Sequence, residues 1–244
     1  MKALILNSGM GNRMLPLTKD QPKCMSPIGG GYTILSRQLT QLASLGVLDI
    51  VITTGPFAEL LKSHAAGLGL PVRITYAPNP LYRETNYIYS MHAAAEYLHS
   101  DILLLHGDLV LETAVLADLM KSERSSVAVD SSLPLPDKDF KARLESGRVA
   151  AIGVEFFGPG CVASQPAYFW KAADFAAWMA AITGFVAEGQ TKVYAENAFN
   201  AQNGLIPLYP LELCGRLCAE IDNEQDLQAV SARFLDLLHK GGDV

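Results

Sequence analysis

Short, almost wholly apolar runs alternate with amphipathic stretches through the first hundred residues, and this alternation constrains the fold more than any other feature. Runs at 2–6, 49–53, 72–76 and 101–105 read as strands. Between them, 33–45 carries Ile34, Leu35, Leu39, Leu42 and Leu45 at helical spacing, and 58–66 and 86–98 read as two further helices. Strands with no polar face need cover on both sides. Strand–helix–strand alternation of this kind is the signature of a parallel sheet between two helical layers. Ligands of such sheets gather at the carboxyl ends of strands, so the segments after Leu6 and Leu105 are the places to search.

The pattern changes after about residue 125. A strand is expected at 126–130, then a loop punctuated by Pro134 and Pro136. Segments 140–144 and 148–153 flank Ser146-Gly147 as a hairpin, 169–185 reads as a long amphipathic helix, and 224–238 as a closing one. One α/β domain over 1–244 is expected, with a hairpin and a helix inserted over one face of the sheet.

Composition narrows the functional classes. With 19 basic against 25 acidic residues the net charge is −6, which argues against a nucleic-acid partner. Half the residues are hydrophobic, too many for disorder, and 244 residues leave no room for a second catalytic domain. No window nears the roughly 18 apolar residues of a membrane span, and the run Leu4–Leu6 stops at Asn7-Ser8-Gly9, too short for a signal peptide. Cys24, Cys161, Cys214 and Cys218 are scattered. Cys214 and Cys218 lack a companion pair for zinc, so core packing is the better reading. A reduced, cytoplasmic protein with no membrane partner is expected.

The richest stretch, Asn7 to Lys23, follows the first strand directly. Gly9 and Gly11 permit tight turning and close approach of backbone N–H groups to an anion. Arg13 and Lys23 add two cations, and Pro16 and Pro22 stiffen the loop. Such a loop suits a triphosphate. It is not a dinucleotide fingerprint, because Met14 stands where a third glycine would fall, nor a Walker A loop, which needs Gly-Lys-Ser/Thr.

Gly9-x-Gly11-x-Arg13 with Pro16-Leu17-Thr18 and Pro22-Lys23 resembles the signature loop of the nucleotidyltransferases that make sugar nucleotides and CDP compounds. The chain is most similar to small bacterial cytidylyltransferases acting on phosphocholine or on phosphonates. That likeness extends to 81–90, Gly107-Asp108, 138–141, 194–198 and Glu220-Ile221-Asp222. It departs at Asn7 and Ser8, where two alanines are usual at the lip of the base pocket, and at Asn12, where Thr or Ser is common.

The resemblance implies a three-layer α/β/α Rossmann-like nucleotidyltransferase fold, with a mostly parallel mixed sheet and an inserted hairpin/helix lid. It further implies a nucleotide-binding core at 1–130, an acceptor-binding insertion at 131–215 and a return to the core at 216–244. Asn7, Ser8, Gly9, Gly11, Asn12, Arg13, Lys23, Thr85, Asn86, Ser90 and Gly107 would bind nucleotide, and Asp108 and Asp222 would hold Mg²⁺. Taken alone, Asp108 also suits a turn, and Asp222, before Asn223-Glu224, a helix N-cap. Lys141 and Arg143 share one face of a strand; with Tyr194 and Glu196 they would meet the acceptor, Lys141 joining Arg13 and Lys23 in catalysis. Solvated or core positions compete with these roles for Arg143 and for most of the aromatic residues. His106 is expected close behind the metal site.

The expected reaction is Mg²⁺-dependent transfer of CMP from CTP to phosphocholine, 2-aminoethylphosphonate or 2-hydroxyethylphosphonate, with a homodimer left open. The competing readings are a sugar-1-phosphate nucleotidyltransferase using UTP or dTTP, and a non-catalytic nucleotide-binding module. A glycosyltransferase of related fold is disfavoured because Gly107-Asp108-Leu109 has no Asp-x-Asp pair.

Overall fold

A computed structural model describes residues 1–241. In chain order the first part holds β1 (Lys2–Asn7), β2 (Pro27–Gly29), β3 (Tyr32–Thr33), α1 (Ile34–Ser44), β4 (Asp49–Thr54), α2 (Ala58–Gly67), β5 (Arg73–Pro78), α3 (Tyr87–Ala93) and β6 (Ile102–His106). There follow β7 (Leu109–Leu111), α4 (Thr113–Lys121), β8 (Ser126–Asp130), β9 (Lys141–Glu145), β10 (Arg148–Gly153), β11 (Cys161–Trp170) and α5 (Ala172–Ala187). The chain closes with α6 (Ala195–Asn200), β12 (Tyr209–Glu212), β13 (Cys218–Glu220) and α7 (Glu224–His239).

The four apolar runs of the first hundred residues form one parallel set in the order β6-β1-β4-β5. The chain builds β1, β4 and β5 outward in one direction and then returns to place β6 on the other side of β1. The gap at the carboxyl ends of β1 and β6 is therefore a topological switch point. Alternate residues of these strands serve opposite layers. Leu4, Val51 and Leu104 pack beneath α3 and α5 with Trp170, Phe175 and Trp178. Ala3, Ile5, Ile50, Ile52, Leu103 and Leu105 pack against α1, α2 and α4. A third cluster joins α7, through Val230 and Phe234, to Met14, Ile28 and Ile34. The first two clusters are the two faces of the sheet, which with their helices make the α/β/α layering that the sequence suggests.

The second half departs from expectation at β11 and the hairpin, and adds α6, β12 and β13. The segment expected to open a helix at 169 instead completes β11, a ten-residue strand, and the helix starts at Ala172. This strand runs antiparallel to β6, β8 and β9 at once. Through it the hairpin β9–β10 extends the sheet at its edge instead of lying over a face, while α5 and α6 supply the cover. Pro166 and the polar Ser164 and Gln165 interrupt the apolar pattern of β11, which hid it. The helix expected over 86–98 ends at Ala93 and yields to a 3₁₀ turn, Ala95–Tyr97. No helix among the described residues is long and apolar enough to cross a membrane.

Candidate active site

The loop leaving β1 begins with Asn7, whose backbone N–H donates to Thr53 Oγ1 at 3.0 Å. Gly11 has φ +65°, and a Cβ there would press on Thr18 Cγ2 at 3.1 Å. Thr18 Oγ1 in turn donates to the Gly11 carbonyl at 2.8 Å, which closes the loop on itself. Two 3₁₀ turns, Asn12–Met14 and Lys23–Met25, carry the cations, with Met14 and Cys24 plugged into the core below. Gly107 stands where β6 ends, and any Cβ at this position would overlap the Asn7 side chain. Glycine at 107 leaves the Asn7 side chain its place across the ends of β1 and β6.

The last third of the chain returns to the switch point. β13 pairs antiparallel with β7, Glu220 opposite Leu109, and Ile221 N–H donates to the Asp108 carbonyl at 3.0 Å. This ladder holds Asp222 beside Asp108. The N-cap of α7 is Asn223, in a reciprocal capping box with Asp226, which leaves the Asp222 carboxylate unused by the helix. Lys23 Nζ sits between the two acids, 2.7 Å from Asp108 Oδ2 and 2.8 Å from Asp222 Oδ1, and Arg13 Nη2 reaches Asp222 Oδ1 at 2.7 Å. Burial disfavours the Lys23 ammonium, but both carboxylates outweigh it and raise its pKa above the usual lysine value. Burial likewise opposes the Asp108 carboxylate, yet Lys23 and His106 hold its pKa below the usual range. Both groups are ionised at neutral pH.

Two adjoining cavities open from this cluster, and a third lies across it. The first, about 260 Å³, is lined by Asn7, Gly9, Gly11, Asn12, Arg13, Lys23, Gly107, Asp108 and Asp222. The second, about 180 Å³, is lined by Ser8, Asn79, Tyr82, Thr85, Asn86, Tyr87, Ser90 and His106. Asn79 organises that wall: its Nδ2 reaches Thr85 Oγ1 at 3.1 Å and Ser90 Oγ at 3.0 Å, and Asn86 caps α3. The third, about 310 Å³, has Tyr87, Phe140 and Tyr194 on one side, with Asp139, Glu220 and Lys138 among its polar lining. Tyr194 lies 5.1 Å from Phe140 and 5.9 Å from Tyr87, centroid to centroid.

Most of the sequence-selected residues thus converge, but three do not line any of these cavities. Lys141 is fully buried, and its ammonium donates to the Pro136 carbonyl at 2.7 Å and lies 4.0 Å from the Phe157 ring centre. Arg143 is exposed, paired with Glu145 and facing Phe156. Glu196 is buried, with both carboxylate oxygens taken by the phenols of Tyr87 and Tyr168. Strand alternation puts Lys141 and Arg143 on one face but cannot say what covers that face. Conversely, Asn79, Asp139 and Glu220 join the cavities although the sequence did not single out their side chains. Asn79 stands before a proline in a loop and leaves no pattern signal; Glu220 lay in a quoted motif, two residues from Asp222.

Glu220 shows the cost of that position. Burial and the neighbouring Asp108 charge push its carboxyl up to about 7, against the opposing pull of His106, whose Nδ1 is 3.0 Å away. Burial opposes the imidazolium of His106, but Glu220 and the surrounding acids raise its pKa above the ordinary histidine value. His106, Asp108 and Glu220 offer ligand atoms within 4.8 Å of one another. Carboxylate oxygens suit a hard cation better than an imidazole nitrogen, so the carboxylates are the stronger donors for one. Asp108 Oδ1 is buried without a partner while Oδ2 and Asp222 Oδ1 already converge on an ammonium. Two hard carboxylates facing one cation position fit a magnesium ion.

A switch-point cleft with a glycine-turned loop, two cations and a carboxylate pair is an arrangement of an α/β protein suited to phosphorylated ligands. A family model described as nucleotidyl transferase matches residues 2–136, and the chain belongs to that family. It is similar to CMP-5'-(3-aminopropyl)phosphonate synthase of Streptomyces rubellomurinus, 36% identical over 134 residues, which cover 55% of this chain and 21% of that protein. It is also similar to CTP:phosphoglutamine cytidylyltransferase of Campylobacter jejuni, 27% identical over 54% of this chain and 53% of that protein. The chain thus matches about a fifth and about half of these relatives' lengths. Choline-phosphate cytidylyltransferase of Streptococcus pneumoniae is 25% identical over 93% of this chain and 95% of its own. The solved structure of the CTP:phosphocholine cytidylyltransferase from that organism superposes with a TM-score of 0.78 at 23% identity, covering 96% of this chain and 98% of that one. The fold is the mixed, mostly parallel Rossmann-like fold of these proteins.

Proposed function

We propose that this protein transfers CMP from CTP to a small phosphonate or phosphate that carries an ammonium group, with release of pyrophosphate. One observation carries the reading. The cluster of Arg13, Lys23, Asp108 and Asp222 stands between a phosphate-sized cavity and a third cavity that combines three aromatic rings with the carboxyl groups of Asp139 and Glu220. Aromatic faces and acids together favour a cation at the far end of the acceptor. The relatives named for CTP or CMP and for phosphonate, phosphoglutamine or phosphocholine chemistry support the same choice.

In this reading an anionic oxygen of the acceptor attacks the α-phosphorus of CTP. The new P–O bond forms as the bond from the α-phosphorus to the bridging oxygen breaks, and that electron pair leaves with pyrophosphate. The nucleophile is already ionised, so no general base is required. Arg13 and the amides around Gly9 and Gly11 would bind the departing phosphates. Lys23 would trade a carboxylate for the α-phosphate. These are positioning and charge-stabilising tasks. Asp108 and Asp222 would hold Mg²⁺, which when bound supplies positive charge to the phosphoryl oxygens.

A screen tests this. CTP, UTP, dTTP, ATP and GTP are offered with phosphocholine, 2-aminoethylphosphonate, 2-hydroxyethylphosphonate and sugar 1-phosphates, and Mg²⁺-dependent pyrophosphate release is measured. Turnover confined to CTP and an ammonium-bearing acceptor is expected. Preference for a sugar 1-phosphate with UTP or dTTP would overturn the proposal, as would tight nucleotide binding with no pyrophosphate release.

A further inference from the structure

Glu196 is only 2% exposed, and its carboxylate is met by phenols instead of a basic side chain. Its two carboxylate oxygens accept from the phenols of Tyr87 and Tyr168, the latter at 2.9 Å. The three residues come from α6, α3 and β11, so the carboxylate knits the 131–215 region to the first helix past the nucleotide-side wall. The two tyrosines differ in what lies beyond them. Tyr168 is enclosed in the core against Trp170 and Trp178. Tyr87 lines both the second and the third cavity, and its ring stands edge-on to His106 at 4.8 Å. His106 in turn holds Glu220.

We infer that Glu196 is a positioning residue for the acceptor: it fixes Tyr87 as the partition between the nucleotide-side and acceptor-side cavities. The inference rests on the transferase reading above, and it replaces the direct acceptor contact expected of Glu196 from the sequence. A phenol tied to an anion loses the freedom to rotate toward water, and the ring it carries keeps one face toward each substrate. Burial and the Glu196 charge raise the Tyr87 pKa well above the ordinary tyrosine value, so this phenol remains a donor throughout the working pH range. A charge-assisted hydrogen bond of this kind is stronger than a neutral one, so removing the charge while keeping the shape loosens the partition without opening a void.

The test compares wild type with Glu196→Gln, Tyr87→Phe, Tyr168→Phe and the Glu196→Gln/Tyr87→Phe double variant, using CTP and 2-aminoethylphosphonate or phosphocholine, whichever turns over faster. Expected is a rise of about tenfold in acceptor KM for Glu196→Gln and Tyr87→Phe, with CTP KM within about twofold and the double variant no worse than either single one. Tyr168→Phe lowers thermal stability but leaves acceptor KM alone, which separates positioning from a general structural role. Equal effects of Glu196→Gln and Tyr168→Phe on acceptor KM, or an unchanged acceptor KM in Glu196→Gln, overturn the inference. A crystal structure of Glu196→Ala supplies a readout free of turnover: the Tyr87 ring is expected to leave the edge of His106, and an unmoved ring overturns the inference. Wild-type protein inactive on every acceptor would overturn the transferase reading instead, and the position of the Tyr87 ring would then decide this inference by itself.

Discussion

Two carboxylate sites lie side by side at the switch point and are satisfied in opposite ways. Asp108 and Asp222 meet two cations, Lys23 and Arg13, and the Arg13 side chain is 70% exposed. Glu196 meets two neutral phenols inside the core. The first set can exchange partners, because a phosphate or a metal ion offers each charged group a substitute of the right sign. The second cannot, because nothing that enters the cavities reaches Glu196. Reactive charge is thus kept at the rim and fixed charge one layer behind it, with Tyr87, His106 and Glu220 linked in a row between them.

Substitutions can break this contrast, and the largest effect belongs to the exchangeable set. Lys23→Ala or Asp108→Ala is expected to lower CTP-dependent pyrophosphate release by about two to three orders of magnitude with the far-UV circular dichroism unchanged. Near-wild-type turnover in either variant would remove these residues from the chemistry. Chelation with EDTA should abolish turnover, and added Mg²⁺ should restore it.

The fixed set answers in stability. Glu196→Ala leaves two buried phenols without an acceptor and should cost about 3 kcal/mol in urea denaturation. Lys23→Ala should cost less, since Arg13 still pairs with Asp222 and both carboxylates keep partial contact with solvent. Equal losses would erase the distinction. Gly107→Ala forces the Asn7 side chain aside and should cost about 1–3 kcal/mol, with a rise in nucleotide KM as the second readout.

The smallest effect lies at the far end of the same strand. Asp101, just before β6, accepts from Ala172 N–H at 2.8 Å at the start of α5 and pairs with Lys171 Nζ at 2.6 Å. Burial opposes its ionisation, but these contacts prevail and lower its pKa. Because the folded pKa lies below the unfolded one, its contribution is complete above about pH 4 and is lost as pH falls through the folded value. Asp101→Asn should cost about 1 kcal/mol at pH 7 and progressively less in acid, as read from denaturation midpoints across pH.

How much of this was legible follows the same division. β1, β4 and β6 could be read because doubly covered parallel strands are continuous apolar runs, the largely exposed edge strand β5 by its place in the alternation, and the phosphate-side loop because glycine, arginine and proline each imprint a distinct backbone or charge requirement. β11 was hidden because it changes neighbours along its length, facing β9 and then β6 while β8 runs beside it, so no single periodicity describes it. Short strands such as β7 and β13 owe their form to each other and not to local propensity. At the site, the rim charges Arg13, Lys23, Asp108 and Asp222 were visible as motif residues. Glu196 and Lys141 were visible as charges but were assigned to the acceptor, because a sequence gives the type of a side chain and not whether substrate or protein satisfies it.

The β7–β13 ladder also orders events in time. Lys23 and Asp108 belong to the first half of the chain, whereas Asp222 lies 199 residues beyond Lys23. At ribosomal rates of roughly 5–20 residues per second, a growing chain displays its phosphate loop for about 10–40 seconds before the second acid emerges to join it. The nascent core therefore carries an incomplete charge cluster until Asp222 reaches it.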